Sequence, residues 1–322
     1  MKLQFLGTSA GVPTKQRNVT GLALSESEGK GWYLIDCGEA TQHQLLHTPL
    51  TLNTLKAIFI THVHGDHSYG LPGILASAAM NGRKTPLTIV APAAIQQWLA
   101  ATVLHTQLYL PYELEFIDAD TLPDVKFEQL TVSTTALSHR VPCYGYSFQE
   151  IAASTNLDIV KLQQDGIPRG PLWGQIKQGL DVEVNGTKVS AQHYLQQGHP
   201  PQKIVVAGDN DSPQLLAETC RDCSVLVHEA TYTQAVADKV GSGPMHSYAA
   251  QIAAFAESIK LPHLVLTHFS SRYQEHGPAT VRDIYDEAKT QYHGQLYLAR
   301  DFAEFQLQRN GDFAEVIAEK VR

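Results

Sequence analysis

One stretch restricts this chain more than any other: Thr61-His62-Val63-His64-Gly65-Asp66-His67. Four side chains able to ligate a metal fall within six positions. Directly before them runs Ala57-Ile58-Phe59-Ile60, a short β-branched and aromatic run that reads as a buried strand. Directly after come Gly70-Leu71-Pro72-Gly73 and a helix-like segment from Ile74 to Met80. The cluster therefore leaves the carboxyl end of a strand, where open α/β sheets place their sites. Neutral imidazole and carboxylate supply the nitrogen and oxygen donors that Zn²⁺ accepts.

Three more ligand-type residues end apolar runs: His139, Asp209 in Ala207-Gly208-Asp209, and His268 in Leu264-Val265-Leu266-Thr267-His268. Singly, each is equally well explained as a polar strand end. Together with the cluster they make seven ligands, too many for one tetrahedral zinc and suited to two ions that share a carboxylate. His43, His47 and His105 belong to no motif.

The chain has 322 residues, 43% hydrophobic and 17% charged, which places it with soluble globular proteins. No stretch approaches a membrane span, and the opening Met1–Thr8 reads as a first strand, so a cytoplasmic location is expected. The net charge of −8 argues against broad nonspecific nucleic-acid binding, though a local basic patch remains compatible with it. Cys220 and Cys223 form one CxxC with no second pair at zinc-finger spacing, so structural roles are expected.

Short apolar runs alternate with helical patterns through both halves of the chain. Strands are predicted at Leu3–Leu6, Trp32–Asp36, Leu87–Val90, Leu114–Ile117, Phe127–Thr134, Tyr144–Phe148, Lys203–Ala207, Ser224–Val227, His263–Leu266, Gln295–Leu298 and Glu304–Leu307. Helices are predicted at Ala93–Leu104, Gln214–Thr219, Ser247–Ile259 and Ala279–Gln291. From Ile151 to Gln202 the pattern changes. Asp165–Gly174 is dense in Gly and Pro, and apolar periodicity lapses. This segment reads as an inserted flexible arm, too short for a core of its own, with Arg169 and Trp173 exposed.

The ordered set His62-x-His64-x-Asp66-His67, His139, Asp209 and His268 resembles the metallo-β-lactamase superfamily. More narrowly, the chain is similar to the ribonuclease Z family of tRNA 3′-processing endonucleases. That likeness rests on Phe5–Ser9, Pro13-Thr14-Lys15-Gln16-Arg17-Asn18, Asp36-Cys37-Gly38-Glu39, Gln42–Leu45, Gly70–Gly73, His228-Glu229-Ala230-Thr231, His246-Ser247 and Thr267–Tyr273. Three positions depart from the family pattern: Asn210 and Tyr248 stand where Thr is usual, and Ala40 where a second Gly is usual.

The resemblance implies a four-layer αββα α/β sandwich over residues 1–322, with 151–202 as a protruding tRNA-binding exosite. It implies two Zn²⁺ per subunit, with Mn²⁺ as a possible substitute. One ion falls to His62, His64 and His139, the other to Asp66, His67 and His268, and Asp209 bridges them. It implies Asp66 as a proton acceptor besides a ligand, and His246 as a general acid oriented by Glu229. Lys15, Arg17, Asn18, Arg169, Lys177 and Arg272 become expected RNA contacts. The implied function is removal of 3′ trailers from precursor tRNA by a homodimer. Two rivals stand beside it: a small-molecule hydrolase acting on phosphodiesters, thioesters or lactones, and a non-catalytic RNA-binding scaffold. The arm would tell the first rival apart, and binding of two ions the second.

Overall fold

The computed structural model describes residues 1–151, 156–184, 186–196, 200–274 and 276–317. Positions 152–155, 185 and 197–199 of the expected arm lie outside the described residues. The chain divides into two units: Met1–Gln149 with Gln202–Arg322, and Glu150–Pro201.

The larger unit holds two sheets. The first has eight strands, in the order Phe313–Glu315, Glu304–Leu307, Lys2–Gly7, Gly21–Ser25, Trp32–Cys37, Leu55–Phe59, Leu87–Ala91, Leu114–Asp118. The second has seven: Gln295–Leu298, His263–Thr267, Val225–Glu229, Lys203–Val206, Cys143–Glu150, Leu130–Leu137, Val125–Lys126. Within each sheet, four neighbouring strands run parallel, Trp32–Cys37 to Leu114–Asp118 and Lys203–Val206 to Gln295–Leu298.

Strand alternation sorts side chains into layers. Tyr33, Ile35, Phe59 and Val90 of the first sheet share a core with Tyr146, Phe148, Val206, Val227 and Val265 of the second. The alternate residues Trp32, Leu34, Ile58 and Ile89 face outward, onto Leu71, Ile74 and Leu75 of the helix Leu71–Met80 and Ile95 and Leu99 of the helix Ala93–Thr106. Leu226, Leu264 and Leu266 likewise meet Ile252, Ala253 and Phe255 of the helix Ala249–Ser258 and Ile284 of the helix Val281–Lys289. Both faces of both central strand sets are buried, which is why they read as continuous apolar runs. The result is the expected helix–sheet–sheet–helix sandwich.

Local expectations need three corrections. The predicted helix Gln214–Thr219 is a 3₁₀ turn, Pro213–Leu216, because the chain must turn again at Cys220–Cys223, where Asp222 takes φ 59°. The predicted strand Phe127–Thr134 is split into Val125–Lys126 and Leu130–Leu137 by a tight turn in which Phe127 N donates to Leu130 O at 2.8 Å.

The third correction concerns the unit Glu150–Pro201, which does have a small core. Leu162, Ile167, Ile176, Val182, Ala191 and Tyr194 pack together. Two short helices, Ile159–Gln164 and Pro171–Lys177, each contribute one buried apolar residue, too few to register as periodicity. Trp173 is half-buried, not exposed, and its Nε1 donates to Ile167 O at 3.1 Å. The four cysteines are free and buried; Cys220 and Cys223 belong to the core beneath the second sheet.

Candidate metal centre

The expected ligands all leave the carboxyl ends of strands. His62, His64, Asp66 and His67 follow Leu55–Phe59, and His139 follows Leu130–Leu137. Asp209 follows Lys203–Val206, Glu229 ends Val225–Glu229, and His268 follows His263–Thr267. A one-turn helix, Gly65–Ser68, folds the cluster back on itself. It is held close by Gly38: a Cβ there would lie 2.4 Å from the backbone oxygen of Asp66.

Hydrogen bonding aims the rings. His67 Nδ1 meets Asp36 Oδ2 at 2.7 Å, and His139 Nδ1 meets the Met245 carbonyl at 3.1 Å. Both acceptors take a proton from Nδ1, so in the neutral ring Nε2 carries the lone pair. The hydroxyl of Thr61 donates to Asp36 Oδ2 at 2.9 Å and so accepts from His62 Nδ1 at 3.0 Å. The hydroxyl of Thr231 donates to Glu229 Oε2 and accepts from His268 Nδ1 at 3.0 Å. These tautomers follow from the partners. Each ring thus turns its Nε2 inward.

The inward atoms form two groups. His64 Nδ1 lies 3.0 Å from His62 Nε2 and 3.2 Å from His139 Nε2, and Asp209 Oδ2 lies 3.6 and 3.7 Å from those two Nε2 atoms. On the other side, His67 Nε2 and His268 Nε2 are 3.2 Å apart. Each of those is 3.5 Å from Asp66 Oδ2, and Asp209 Oδ1 lies 3.5 and 3.4 Å from them. Asp209 therefore faces one oxygen to each group.

Such an arrangement fits a pair of metal ions. Two Nε2 atoms 3.2 Å apart need a positive charge between them, a metal ion or, without one, a proton donated from one ring to the other. Ligands about 2.0–2.1 Å from a tetrahedral ion are about 3.3 Å from one another, close to the spacings seen. Charge points the same way: the ion-pair partners of Asp36, Asp66, Asp209 and Glu229 are all histidines among the described residues. Burial and the neighbouring imidazoles hold His62 well below the usual histidine pKa, and burial lowers His139 as well. At His67 burial opposes protonation but is outweighed by Asp209, Asp66 and Asp36, and its pKa rises to about 10. Without a metal, a proton there counters the carboxylates. Asp66 is held low by His67 and His268 against the cost of burial.

His246 stands beside this cluster, its ring centroid 5.3 Å from His139 and 5.5 Å from His268. Its Nδ1 is 3.1 and 3.0 Å from the two oxygens of Glu229. Burial works against its charge, but Glu229 prevails and lifts its pKa, while the same pairing lowers that of Glu229.

The expected RNA contacts are placed unevenly. Lys15 is exposed. Arg17 is buried, 7% exposed, and its Nη2 donates to the carbonyls of Ser270 and Tyr273 at 3.3 and 2.6 Å. Asn18 donates its Nδ2 to Glu39 O at 2.9 Å and its backbone N–H to Asp301 at 2.6 Å. Those two side chains thus shape the loop. Arg272 is exposed, held by Ser270 Oγ at 3.0 Å and stacked 5.2 Å over the Tyr232 ring, which meets His246 edge-on at 6.0 Å. Arg169 and Lys177 are exposed in the smaller unit, with Arg169 5.2 Å over Trp173.

Sequence reasoning missed Asp36, Thr61, Thr231 and Asp301 as supports of the site. Asp36 offered the best signal, a carboxylate closing an otherwise apolar strand and 2% exposed. Of the three departures, Ala40 adopts φ 61°, the left-handed region that glycine favours. Tyr248 is the N-cap of Ala249–Ser258 and makes no side-chain cap bond, which threonine there could supply.

The sandwich and its His/Asp cluster define a protein of the metallo-β-lactamase fold. A *Bacillus subtilis* protein titled as having that fold superposes over 94% of this chain and 98% of its own, TM-score 0.63, at 18% identity. Residues 1–153 match the family described as Anti-Pycsar protein Apyc1. A *Pseudomonas putida* protein named Ribonuclease Z is 51% identical over 313 residues, 97% of this chain and 98% of the relative. A *Proteus mirabilis* Ribonuclease BN is 39% identical over 95% of this chain and all of its own. The crystal structure of the short form of human tRNase Z covers 96% of this chain and all of its own, TM-score 0.64, at 26% identity. This chain belongs to the ribonuclease Z family.

Proposed function

We propose that this protein is a metal-dependent endoribonuclease that removes 3′ trailers from precursor tRNA, leaving a 3′-hydroxyl on the tRNA and a 5′-phosphate on the trailer. The observation that carries the reading is Asp209, one oxygen toward each half of a complete ligand set. Relatives named Ribonuclease Z support the reaction, and the human neighbour's title supports tRNA as substrate.

His62, His64 and His139 would hold one ion, Asp66, His67 and His268 the other, and Asp209 both; two Zn²⁺ are proposed, with Mn²⁺ as a substitute. Such ions, when bound, supply Lewis acidity that activates water and neutralises phosphate charge. The chain's own residues do the rest. Asp36 and Thr231 lock His67 and His268 in the tautomer that presents Nε2. Asp66 would combine ligation with acceptance of a proton from the attacking water. Glu229 anchors His246 through Nδ1, leaving Nε2 as the ring's other donor. As the bond between phosphorus and the tRNA 3′-oxygen breaks, His246 gives that oxygen a proton. Arg272, beside the same ring, suits a backbone phosphate. Lys15 and the cations Arg169 and Lys177 would meet phosphates farther along the RNA, the latter two from an arm acting as exosite. Arg17 and Asn18 act indirectly, by shaping the loop that carries Lys15. A homodimer working in the cytoplasm completes the proposal. No helix among the described residues is long and apolar enough to cross a membrane.

Incubation with a 3′-extended tRNA tests it: a single cut at the trailer boundary with the stated ends is expected with Zn²⁺ or Mn²⁺. Protein that binds two ions and leaves this RNA intact while hydrolysing a small phosphodiester would replace the reading with a small-molecule hydrolase.

A further inference from the structure

We propose that Asn210 is a positioning residue: through its side chain it fixes the turn that carries His139, and thereby one of the two ion sites. The inference rests on the reading of the cluster as a metal centre.

Asn210 is fully buried. Its backbone N–H donates to Glu229 Oε1 at 2.7 Å, and its carbonyl accepts from Ser247 Oγ at 2.6 Å. Its Oδ1 accepts from the backbone N–H of Ser138 at 3.2 Å and of Ser212 at 3.1 Å. Its Nδ2 lies 3.2 Å from His228 Nε2. The orientation of this amide is fixed by chemistry. His228 is buried, and its Nδ1 donates to the Glu229 carbonyl at 2.8 Å, so its Nε2 can only accept. Nδ2 must then face His228, and Oδ1 must face the two amides.

These partners are not a random sample of the fold. Ser138 precedes His139, His228 precedes Glu229, Ser247 follows His246, and Asn210 itself follows Asp209. One side chain ties the turn at His139 to the strand that ends in Glu229. The tie at Ser138 runs both ways, since Asp211 N returns a bond to Ser138 O at 3.0 Å. A threonine, usual at this position in the family this chain resembles, has a single hydroxyl oxygen. It cannot stand both beside the two amides and beside His228. The asparagine therefore carries a load that the common residue would leave to other groups, and the buried His228 is its counterpart.

The contacts divide cleanly. The bonds to Glu229 and Ser247 are made by the Asn210 backbone and survive substitution. Those to Ser138, Ser212 and His228 are made by the side chain. Removing the side chain loosens His139 and leaves Asp66, His67 and His268 with the partners they have. Outer partners of metal ligands typically contribute roughly 10–100-fold to affinity.

The experiment titrates Zn²⁺ into metal-stripped protein against a chromophoric chelator, for the unaltered chain, Asn210→Thr, His228→Leu, His139→Ala and the Asn210→Thr/His139→Ala double variant. Asn210→Thr should weaken one ion roughly 10–100-fold and the other less than about threefold. His228→Leu should weaken the same ion. In the His139→Ala background, Asn210→Thr should cost nothing further, because both changes act on one ligand. Equal weakening of both ions, additive losses, or no loss would overturn the inference while leaving the two-metal reading intact. An unaltered chain that takes up fewer than two ions would overturn both. Because threonine is the residue usual here, folding of that variant is expected, with a lower melting temperature than the unaltered chain because buried partners lose the amide; the difference between the two ion affinities, which a general loss of stability would not produce, carries the test.

Discussion

In the His/Asp cluster, His62, His67, His139 and His268 each have the second ring nitrogen tied to a neighbouring group. In the unit Glu150–Pro201, the cations singled out, Arg169 and Lys177, stand on exposed helix and turn positions. The first region gains from concentration: a few side chains, each fixed in direction. The second, if it reads RNA, reads it with charges spread over a surface, where each contributes a little. Chemistry at one phosphorus atom demands the former, and grip on a long polyanion tolerates the latter.

The sharpest way to break this contrast is at Asp209. Asp209→Ala removes the one carboxylate common to both groups and should cost about four orders of magnitude in cleavage with loss of bound metal. A variant that keeps both ions would show the bridge to be dispensable. Next comes replacement of Glu150–Pro201 by a short Gly-Ser linker. Cleavage of precursor tRNA should fall about 100-fold or more, with hydrolysis of bis-p-nitrophenyl phosphate kept within about threefold. Parallel loss of both activities would mean that the arm serves the chemistry too.

A third test concerns the support of the loop that carries Lys15. Burial lifts the Asp301 carboxyl to about 6, against Asn18 N–H and Thr8 Oγ1, which donate to it. Below about pH 4 both folded and unfolded chains hold this proton. Between about 4 and 6 only the folded chain does, so this group's contribution falls as pH rises across that window, by about 3 kcal/mol, and is absent above it. Urea unfolding should show a loss of stability from pH 4.5 to 7.5 that is about 2 kcal/mol greater in the unaltered chain than in Asp301→Asn. A step of equal size in both would reassign it to another group. Smaller still is Arg169→Ala, expected to weaken RNA binding only a few-fold and to flatten its salt dependence by about one charge. A loss of 100-fold would make the arm as concentrated as the cluster. Least of all, Ala40→Gly should stabilise the fold by about 0.5 kcal/mol, because the φ of 61° strains any Cβ while glycine gives some of that gain back to the unfolded chain. A lower Tm for the variant would refute it.

The same contrast explains what could be read from the sequence. The candidate ligands announce themselves because they are side chains of rare type at the ends of apolar runs, and His62–His67 adds local spacing. Their supports do not. Asp36 reaches His67 and Thr61 from a neighbouring parallel strand, so its role depends on register across a sheet, which no local pattern encodes. Thr231 looks like any strand-end threonine until its hydroxyl is seen between Glu229 and His268. Arg17 misled in the opposite sense: a basic residue in a polar loop suggests phosphate, yet its guanidinium is turned inward onto carbonyls. The core of the smaller unit was hidden because its apolar residues come one or two per short element.

The distance along the chain between facing ligands has a consequence for biosynthesis. His67 and His268 meet at 3.2 Å although 201 residues separate them. Until the second sheet is made, Asp209 and His268 are missing from the group that His62, His64 and His67 begin. The candidate ligand set is therefore complete only once both halves of the chain have been made and folded. Completion of that set reports that both halves are folded, so the geometry that gathers these side chains also keeps them apart in an unfinished copy.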